Sequence, residues 1–237
     1  EPQSGSDASN MNTTAIKSDD FYILNGTKNW VTNGIHSDFV LVFAMTEKGI
    51  GHKGISCFIV EKEFEGFECG KPEEKLGIRS SDTCEIYFDQ ARVSRKNLVG
   101  NLGDGFKIAL STLDGGRIGI ASQALGIAQA SLENSIKYSK EREQFGRPIA
   151  SQQAIQFKLA DMAMEIEAAR MLTHKAAWKK DNKKDFSASA SMAKVYSSEV
   201  AMRASTQCVQ IHGGYGYIKE TGVERLMRDA KITQIYE

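Results

Sequence analysis

The sequence predicts a multi-domain α+β protein, in which a β barrel or sandwich is followed by an up-and-down four-helix bundle. Residues 21–99 contain short runs of aromatic and β-branched residues between Gly, Asn and Asp, which is typical of strands. After Gly103 and Gly105 the apolar residues recur every three or four positions, which is typical of helices. We therefore assign residues 1–103 to a β domain and residues 104–237 to a helical bundle that we expect to be incomplete at its end.

The β domain carries a hairpin signal near its start. Residues 21–24 form a short apolar run that meets Asn25 and Gly26, and residues 27–32 follow, so the sequence predicts a hairpin that turns at this Asn-Gly pair. In residues 84–89 apolar and polar side chains alternate, which predicts one dry face and one wet face. Two further strands, both buried, are predicted at residues 40–45 and 55–60.

Three apolar stripes predict three long helices in the second domain. Pro148 separates the first helix from the second, the charged residues 181–184 separate the second from the third, and a shorter helix is expected after Gly222. The first stripe comprises Ala121, Leu125, Ala128, Leu132 and Ile136. The second comprises Ile155, Leu159, Met162, Ile166, Ala169 and Leu172. The third comprises Ala188, Met192, Val195, Met202 and Val209.

Composition argues against several functional classes. Thirty basic residues balance thirty acidic ones, so we expect no nucleic-acid partner and no membrane partner. The four Cys and four His show neither a C-x-x-C pair nor metal-ligand spacing, so no metal site is expected. No apolar run approaches the roughly 18–20 residues of a membrane span. The chain starts without Met and stops at Glu237 directly after an apolar stretch, and we expect a fragment.

Three segments have residues suited to ligand contact. Residues 1–7 form a loop whose amides and hydroxyls can approach a ligand closely, and residues 29–34 place a Trp beside hydroxyl and amide side chains at the end of a predicted strand. Residues 210–217 hold three glycines just after a predicted helix. Because no G-x-G-x-x-G fingerprint and no P-loop is present, a nucleotide cofactor would need another architecture.

Taken together, these segments resemble the acyl-CoA dehydrogenase family over the whole chain. Residues 1–7 match one signature of that family, and residues 117–121 and 157–162 look most like its short-chain, butyryl-type branch. The most specific match is to the C-terminal signature of the family, at Gln210, Gly213, Gly214, Gly216, Tyr217, Glu220, Arg225 and Asp229.

The resemblance implies a flavoprotein with FAD as its cofactor. The family dehydrogenates short-chain acyl-CoA to trans-2-enoyl-CoA, passes the electrons to an electron-transferring flavoprotein, and assembles as a homo-oligomer, usually a tetramer. Its members consist of an N-terminal helical domain, a middle β domain and a C-terminal four-helix bundle, and this chain would carry the last two. The expected compartment is the bacterial cytoplasm, with the mitochondrial matrix as the alternative.

The resemblance also implies site residues. Glu237 corresponds to the catalytic base; in some branched-chain members the base instead stands directly before the equivalent of Arg117, where this chain has Gly116. Residues corresponding to cofactor contacts are Ser4, Gly5, Ser6, Trp30, Val31, Thr32, Arg142, Phe145, Gln153, Gln210, Ile211, His212, Gly213 and Gly214. Residues corresponding to substrate contacts are Ser6, Asp114, Gly115, Gly116 and Arg117.

Two kinds of alternative stay open. On the same scaffold the protein could be an acyl-CoA oxidase or a dehydrogenase of branched short-chain substrates. From a different class, it could be a non-catalytic CoA-binding or flavin-binding module whose helical bundle is purely structural. The presence of Glu237 together with both signatures favours the enzyme.

Overall fold

A computed structural model describes all residues from Glu1 to Glu237. The chain divides into two compact units. The β unit consists of Glu1–Lys75 and Arg79–Thr112. The helical unit consists of Leu76–Ile78 and Leu113–Glu237. A strand-rich first part and a helix-rich second part confirm the predicted α+β class.

The β unit is built on one seven-stranded sheet. Its strands follow the order β5-β6-β2-β1-β3-β4-β7, and every neighbouring pair is antiparallel except β1 with β3. The strands are β1 (Thr14–Ser18), β2 (Phe21–Thr32), β3 (Phe39–Met45), β4 (Ile55–Glu61), β5 (Phe67–Cys69), β6 (Thr83–Ser94) and β7 (Leu98–Val99).

The core of the β unit is a cluster of apolar side chains contributed by these strands. Alternation in β6 is confirmed, since Cys84, Ile86 and Phe88 are buried while the intervening Tyr87 is exposed. The largest fully buried side chain is Phe58 on β4, whose ring centroid lies 4.9 Å from that of Tyr22 on β2. The remaining buried apolar side chains of this core are Ala15, Leu24, Val42, Ala44, Val60, Phe67, Ala91 and Val93.

The predicted turn at Asn25 and Gly26 is wrong. Strand β2 runs straight through this pair, and the hairpin from β1 to β2 turns at Asp19 and Asp20 instead. The pair forms a β-bulge against β6, in which the Asn25 side-chain oxygen accepts the backbone N–H of Gln90 at 2.9 Å. A Cβ on Gly26 would lie 2.4 Å from Thr13 Oγ1, so the glycine serves close packing between strands.

The helical unit contains long helices and one small hairpin. The first residues of the 37-residue α1, up to Thr112, belong to the β unit. None of the helices is both long enough and apolar enough to span a membrane. The helices are α1 (Gly105–Glu141), α2 (Gln153–Asp181), α3 (Ser187–His212), α4 (Gly214–Tyr217) and α5 (Val223–Thr233). The hairpin strands are β8 (Glu143–Gln144) and β9 (Arg147–Pro148). Short 3₁₀ turns occupy Gly51–Gly54, Arg95–Asn97, Ile149–Ser151 and Lys219–Thr221.

The first two predicted helical stripes are confirmed. In α1 the small residues Ala121 and Ala128 are fully buried, and in α2 the side chains of Met162 and Ile166 are nearly so. Leu132 of α1 joins Ala128, Met162 and Ile166 in one apolar cluster. The three-to-four spacing therefore marks the buried faces of both helices correctly.

The third predicted stripe is on the wrong face of α3. Met192 and Val195 are each 61% exposed. The face that is buried carries small side chains, namely Ala190, Ala193, Ser197, Ala201, Ala204, Ser205 and Cys208. Ala and Ser let neighbouring helices approach closely, whereas a search for large apolar residues selects the opposite face of this helix.

Candidate active site

The Glu237 carboxylate lies directly against α1 in the helical unit. If Gly116 carried a Cβ, that atom would stand 2.3 Å from Glu237 Oε2 and 2.7 Å from Oε1. Such a distance is shorter than a van der Waals contact, so a larger residue at position 116 would force the carboxylate to move. The structure thus brings together two residues that the sequence singles out, Glu237 and the position before Arg117.

Arg117 connects three elements of this region. Its Nη1 donates to Asp114 Oδ1 at 2.8 Å and to Ser191 Oγ of α3 at 3.3 Å. Its Nε donates to the backbone carbonyl of Glu237 at 3.3 Å. Ser187 of α3 also donates to Asp114 Oδ1, at 2.9 Å. The guanidinium therefore has a carboxylate partner in its own helix and fixes the backbone of Glu237 through a separate nitrogen.

Partial burial raises the pKa of Glu237, although the residue as a whole is exposed. The positive charges of Arg117 and Lys194 act in the opposite direction and lower it. A carboxyl group balanced in this way is suited to work as a general base near neutral pH.

The segment that leads to Glu237 is anchored through α5. Asp229 accepts the backbone N–H of Ile78 at 2.7 Å, and Arg228 donates to the carbonyl of Leu76 at 2.8 Å. A Cβ at Gly77 would lie 2.4 Å from the carbonyl oxygen of Arg228. Beyond the helix, Tyr236 donates to Gln123 Oε1 on α1 at 2.5 Å. These contacts fix the backbone on which Glu237 stands.

A second feature of the helical unit is a cavity of about 500 Å³. Cavities of this size accommodate small-molecule ligands. It contains five of the residues expected to contact a cofactor: Arg142, Ile211, His212, Gly213 and Gly214. The other lining residues are Tyr138, Gln144, Ile149, Tyr215 and Ile218.

One wall of the cavity combines an aromatic stack with open glycines. The His212 ring stacks on Tyr138 with centroids 4.2 Å apart, and its Nδ1 donates to the carbonyl of Cys208 at 2.8 Å, which leaves Nε2 for another partner. Side chains added at Gly213 or Gly214 would meet nothing within 4 Å, so their backbone faces open space. Gly216 has a different role, because a Cβ there would lie 2.4 Å from the carbonyl oxygen of Val209.

Three other expected contacts do not line this cavity. Gln153 and Gln210 are exposed at the start of α2 and near the end of α3. Phe145 occupies the turn between β8 and β9, where it is 93% exposed and has a φ of 53°. A bulky residue that is both exposed and in the left-handed region is unusual and commonly marks a functional surface.

In the β unit, the loop containing Ser4, Gly5 and Ser6 is held at its beginning by Glu1. The Glu1 carboxylate accepts Lys28 Nζ at 2.5 Å and the backbone N–H groups of Asn12 and Thr13 at 2.5 and 3.2 Å. Burial alone raises the pKa of Glu1, but these hydrogen bonds lower it to about 2.

Within the loop itself, the three expected residues differ in their surroundings. Ser4 is buried and donates to the carbonyl of Asp7 at 2.6 Å. Gly5 and Ser6 are exposed. One end of the loop is therefore fixed, while its tip presents backbone and a hydroxyl to the surface.

The second expected segment of the β unit contains an irregular strand. The register of β2 against β6 shifts between Lys28 and Val31, and within this bulge Trp30 is 68% exposed with a φ of 61°. The Asn29 side-chain oxygen is buried without a hydrogen-bond partner. Val31 is half-buried and Thr32 is exposed. The bulge presents a large aromatic surface next to an unsatisfied acceptor.

Several residues of the candidate site were not identified from the sequence. Ser187, Ser191 and Lys194 form a polar row on α3 that faces the Asp114 to Arg117 segment, and a helical spacing of four and three was the signal that could have identified them. Tyr138 of the cavity carried no local signal, because aromatic residues in helices usually belong to the core, whereas Tyr215 lies within the singled-out segment 210–217. No group of three His, Cys, Asp or Glu side chains is placed to hold a metal ion.

Comparison with protein families identifies the class. Residues 103–237 match the acyl-CoA dehydrogenase C-terminal domain, and residues 1–91 match the acyl-CoA dehydrogenase middle domain. The chain belongs to the acyl-CoA dehydrogenase family. Within that family it resembles the short-chain, butyryl-CoA type.

Individual relatives are similar over the full chain. The short-chain specific acyl-CoA dehydrogenase of Megasphaera elsdenii is 55% identical over 238 residues, which cover 100% of this chain and 62% of that protein. The mitochondrial short-chain specific enzyme of Rattus norvegicus is 52% identical, with 100% and 58% covered. The chain thus spans less than two thirds of the length of these relatives.

Solved structures agree with this assignment. Butyryl-CoA dehydrogenase from Megasphaera elsdenii superposes with a TM-score of 0.98 at 55% identity, covering 100% of this chain and 62% of that chain. A chain from a structure described as the electron transferring flavoprotein of Acidaminococcus fermentans gives the same TM-score of 0.98, identity of 55% and coverage of 100% and 62%.

Replacing Lys28 with Met should destabilise the protein by about 1–3 kcal/mol at pH 7, because the buried Glu1 carboxylate loses its cation. Since the pKa of Glu1 is depressed to about 2, its stabilising contribution is present above its ordinary value of 4.5 and is lost as the pH falls through 2. Urea unfolding between pH 7 and pH 2 should therefore show a weaker pH dependence for Lys28→Met. The exposed Lys17→Met is the matched control, and equal unfolding free energies for the two variants would contradict the assigned role.

Proposed function

We propose that this chain forms the catalytic and cofactor-binding part of a FAD-dependent short-chain acyl-CoA dehydrogenase. The reaction is the α,β-dehydrogenation of a short-chain acyl-CoA to the trans-2-enoyl-CoA. The observation that carries the proposal is the Glu237 carboxylate seated against Gly116, with its pKa raised by partial burial. The names of the similar proteins, short-chain specific acyl-CoA dehydrogenase and butyryl-CoA dehydrogenase, support the substrate class.

The residues present fit FAD. The cavity of the helical unit offers the guanidinium of Arg142 for a diphosphate, the stacked His212 and Tyr138 for an aromatic group, and the open backbone at Gly213 and Gly214 for close approach. We assign Ile211 to the same contact surface. Phe145, Gln153 and Gln210 remain proposed contacts that lie outside the cavity.

The β unit contains residues that we propose as contacts of the flavin ring. An exposed Trp30 supplies an aromatic surface, and the unpartnered Asn29 oxygen beside it is an acceptor left free within the chain. Val31, Thr32 and the loop residues Ser4, Gly5 and Ser6 complete the set that we propose. When bound, FAD would accept the hydride that leaves C3 of the acyl chain.

Glu237 would act as the base that removes the proton from C2 of the acyl thioester. That proton is a weak acid, so the developing charge on the thioester oxygen needs a fixed hydrogen-bond donor. The backbone N–H of Glu237 donates no hydrogen bond within the chain and can fill this role. Exclusion of water by the acyl chain would raise the pKa of the carboxylate further and make it a stronger base.

The residues around Glu237 orient the base and the substrate. Arg117 holds the Glu237 backbone carbonyl at 3.3 Å, while Asp114 fixes the guanidinium. The adjacent glycines Gly115 and Gly116 leave the helix surface free of side chains where the thioester arm is proposed to pass. We propose Ser6 as a further substrate contact.

Other parts of the proposal concern partners and compartment. The electron acceptor is proposed to be an electron-transferring flavoprotein, which is supported by the likeness to the chain from Acidaminococcus fermentans. The proposed compartment is the bacterial cytoplasm, and the mitochondrial matrix is the alternative because similar proteins come from both sources.

We also propose a homo-oligomer, with a tetramer as its expected form. An apolar row runs along one exposed face of α2 at intervals of seven residues, consisting of Phe157, Met164, Met171 and Trp178. These side chains are between 53% and 65% exposed, which is unfavourable for an isolated helix surface. A second copy of the chain would cover such a face.

Replacing Glu237 with Gln in the full-length protein should lower the rate of flavin reduction by butyryl-CoA at least about 100-fold, because a positioned general base contributes about that much. Flavin binding should be retained, and both are read from the absorbance spectrum before and after anaerobic substrate addition. Rapid flavin bleaching by this variant would place the base elsewhere, and oxygen uptake on substrate addition would indicate an oxidase.

A methyl group at Gly116 should have a similar but smaller effect. Gly116→Ala places a Cβ where the Glu237 carboxylate lies, so we expect flavin reduction to fall by about tenfold or more. Gly119→Ala is the matched control on the same helix, because its Cβ would meet nothing within 4 Å. Equal rates for both variants would show that the carboxylate does not need the space at Gly116.

Charges introduced into the apolar row should dissociate the oligomer. Met164→Lys combined with Met171→Lys would desolvate two ammonium groups in a packed interface, and sedimentation should then show a smaller species. Exposed positions elsewhere on α2, such as Lys175→Met, should leave the mass unchanged. A monomeric unmodified protein, or an unchanged mass in the double variant, would contradict this interface.

A further inference from the structure

One face of α3 carries three polar residues over successive turns. Ser187 donates to Asp114 at 2.9 Å, and Ser191 accepts from Arg117 at 3.3 Å. The next residue on the same face is Lys194, which is only 8% exposed. The row therefore runs along the segment of α1 where Gly116 receives the Glu237 carboxylate.

Burial of the Lys194 ammonium without an ion-pair partner is unfavourable in free energy. Its ammonium forms no ion pair within 4 Å in the structure, and burial lowers its pKa. The charge of Glu237 raises that pKa again, and the charge of Arg117 lowers it. A buried cation without a contact partner is destabilising, so retaining it needs a reason beyond packing.

The other cations near Glu237 differ from Lys194 in pairing or in exposure, although the charge of Arg117 also lowers the pKa of Glu237. Arg117 is paired with Asp114 at 2.8 Å and holds the backbone of Glu237 rather than its carboxylate. On α2, the ammonium of Lys180 lies over Gly115, 3.1 Å from where a Cβ would be. The remaining titratable neighbour is Tyr236, whose hydroxyl donates to Gln123. Neither Lys180 nor Lys194 has an acidic side chain within 4 Å, but Lys180 is exposed, so Lys194 is the one buried cation near Glu237 without such a partner.

We infer that Lys194 is a positioning residue for Glu237, whose buried charge keeps the carboxylate ionised and seated against Gly116 between turnovers. This inference rests on the proposed role of Glu237 as the base. It assigns Lys194 no contact with the substrate. The role is electrostatic, so it should depend on the positive charge at this position and tolerate a change in the shape of the side chain.

The test is the pH dependence of kcat/KM for butyryl-CoA in the full-length flavoprotein, because its acidic limb reports the base of the free enzyme. In Lys194→Met the pKa of Glu237 should rise, so the acidic limb should move to higher pH. At pH values on the acidic side of the limb, kcat/KM should fall by about threefold or more. At higher pH, kcat/KM should approach that of the unmodified protein. Lys194→Arg keeps the charge and should restore the original limb. Lys175→Met, an exposed lysine on α2, controls for the loss of one positive charge.

An independent readout is the infrared carboxylate band that disappears in Glu237→Gln. Its titration in the flavoprotein without substrate should shift to higher pH in Lys194→Met and stay in place in Lys194→Arg. If Lys194→Met does not retain flavin, Lys194→Gln carries the same expectation with a polar side chain. A limb and a band that stay unmoved in the uncharged variants, or that move equally in Lys194→Arg, would overturn the inference.

The two proposals fail in different ways. Full activity in Glu237→Gln would remove the proposed base, and the role of Lys194 with it. Loss of activity in Glu237→Gln together with unshifted profiles in Lys194→Met and Lys194→Gln would leave the base in place and remove only the role of Lys194.

Discussion

The missing side chain at Gly116 is the constraint on which the candidate site depends. A glycine inside a helix is less stable than alanine by about 1 kcal/mol, and α1 carries two in succession. The sequence retains Gly116 where the Glu237 carboxylate would otherwise overlap with a methyl group at 2.3 Å. A side chain at position 116 would therefore force the Glu237 carboxylate to move from the place that it occupies.

The position of Glu237 depends in turn on a chain of backbone anchors. Asp229 and Arg228 bind the main chain of residues 76–78, which belong to the helical unit although they come much earlier in the sequence. Asp229, one of the family signature residues, therefore acts here by fixing the backbone of another segment. A mutation at such a position would displace the base without touching it, which is how a structural residue can come to be part of a functional signature.

The sequence correctly predicted the parts of this protein in which large apolar residues repeat at regular helical or strand spacing. Leu125, Leu132 and Ile166 lie where large apolar side chains at helical spacing should lie. Prediction failed where small residues decided the packing, as on α3, and where Asn25 and Gly26 formed a bulge within a long strand in place of a turn. Glu237 and Gly116 were selected through a family resemblance. Lys194 was not selected, because its significance comes from tertiary proximity to Glu237 that no local pattern contains.

Two aromatic residues combine a strained backbone conformation with an exposed ring. Trp30 and Phe145 lie in separate units, yet each has a positive φ and each is largely exposed, at 68% and 93%. Each conformation costs about 1–3 kcal/mol, and neither is offset by burial of the ring within the chain. A strain of this kind persists when a ligand or a second molecule covers the ring, because the binding contacts then recover the apolar surface. Both residues are among the cofactor contacts that we propose, and their exposed rings in a strained backbone support that proposal.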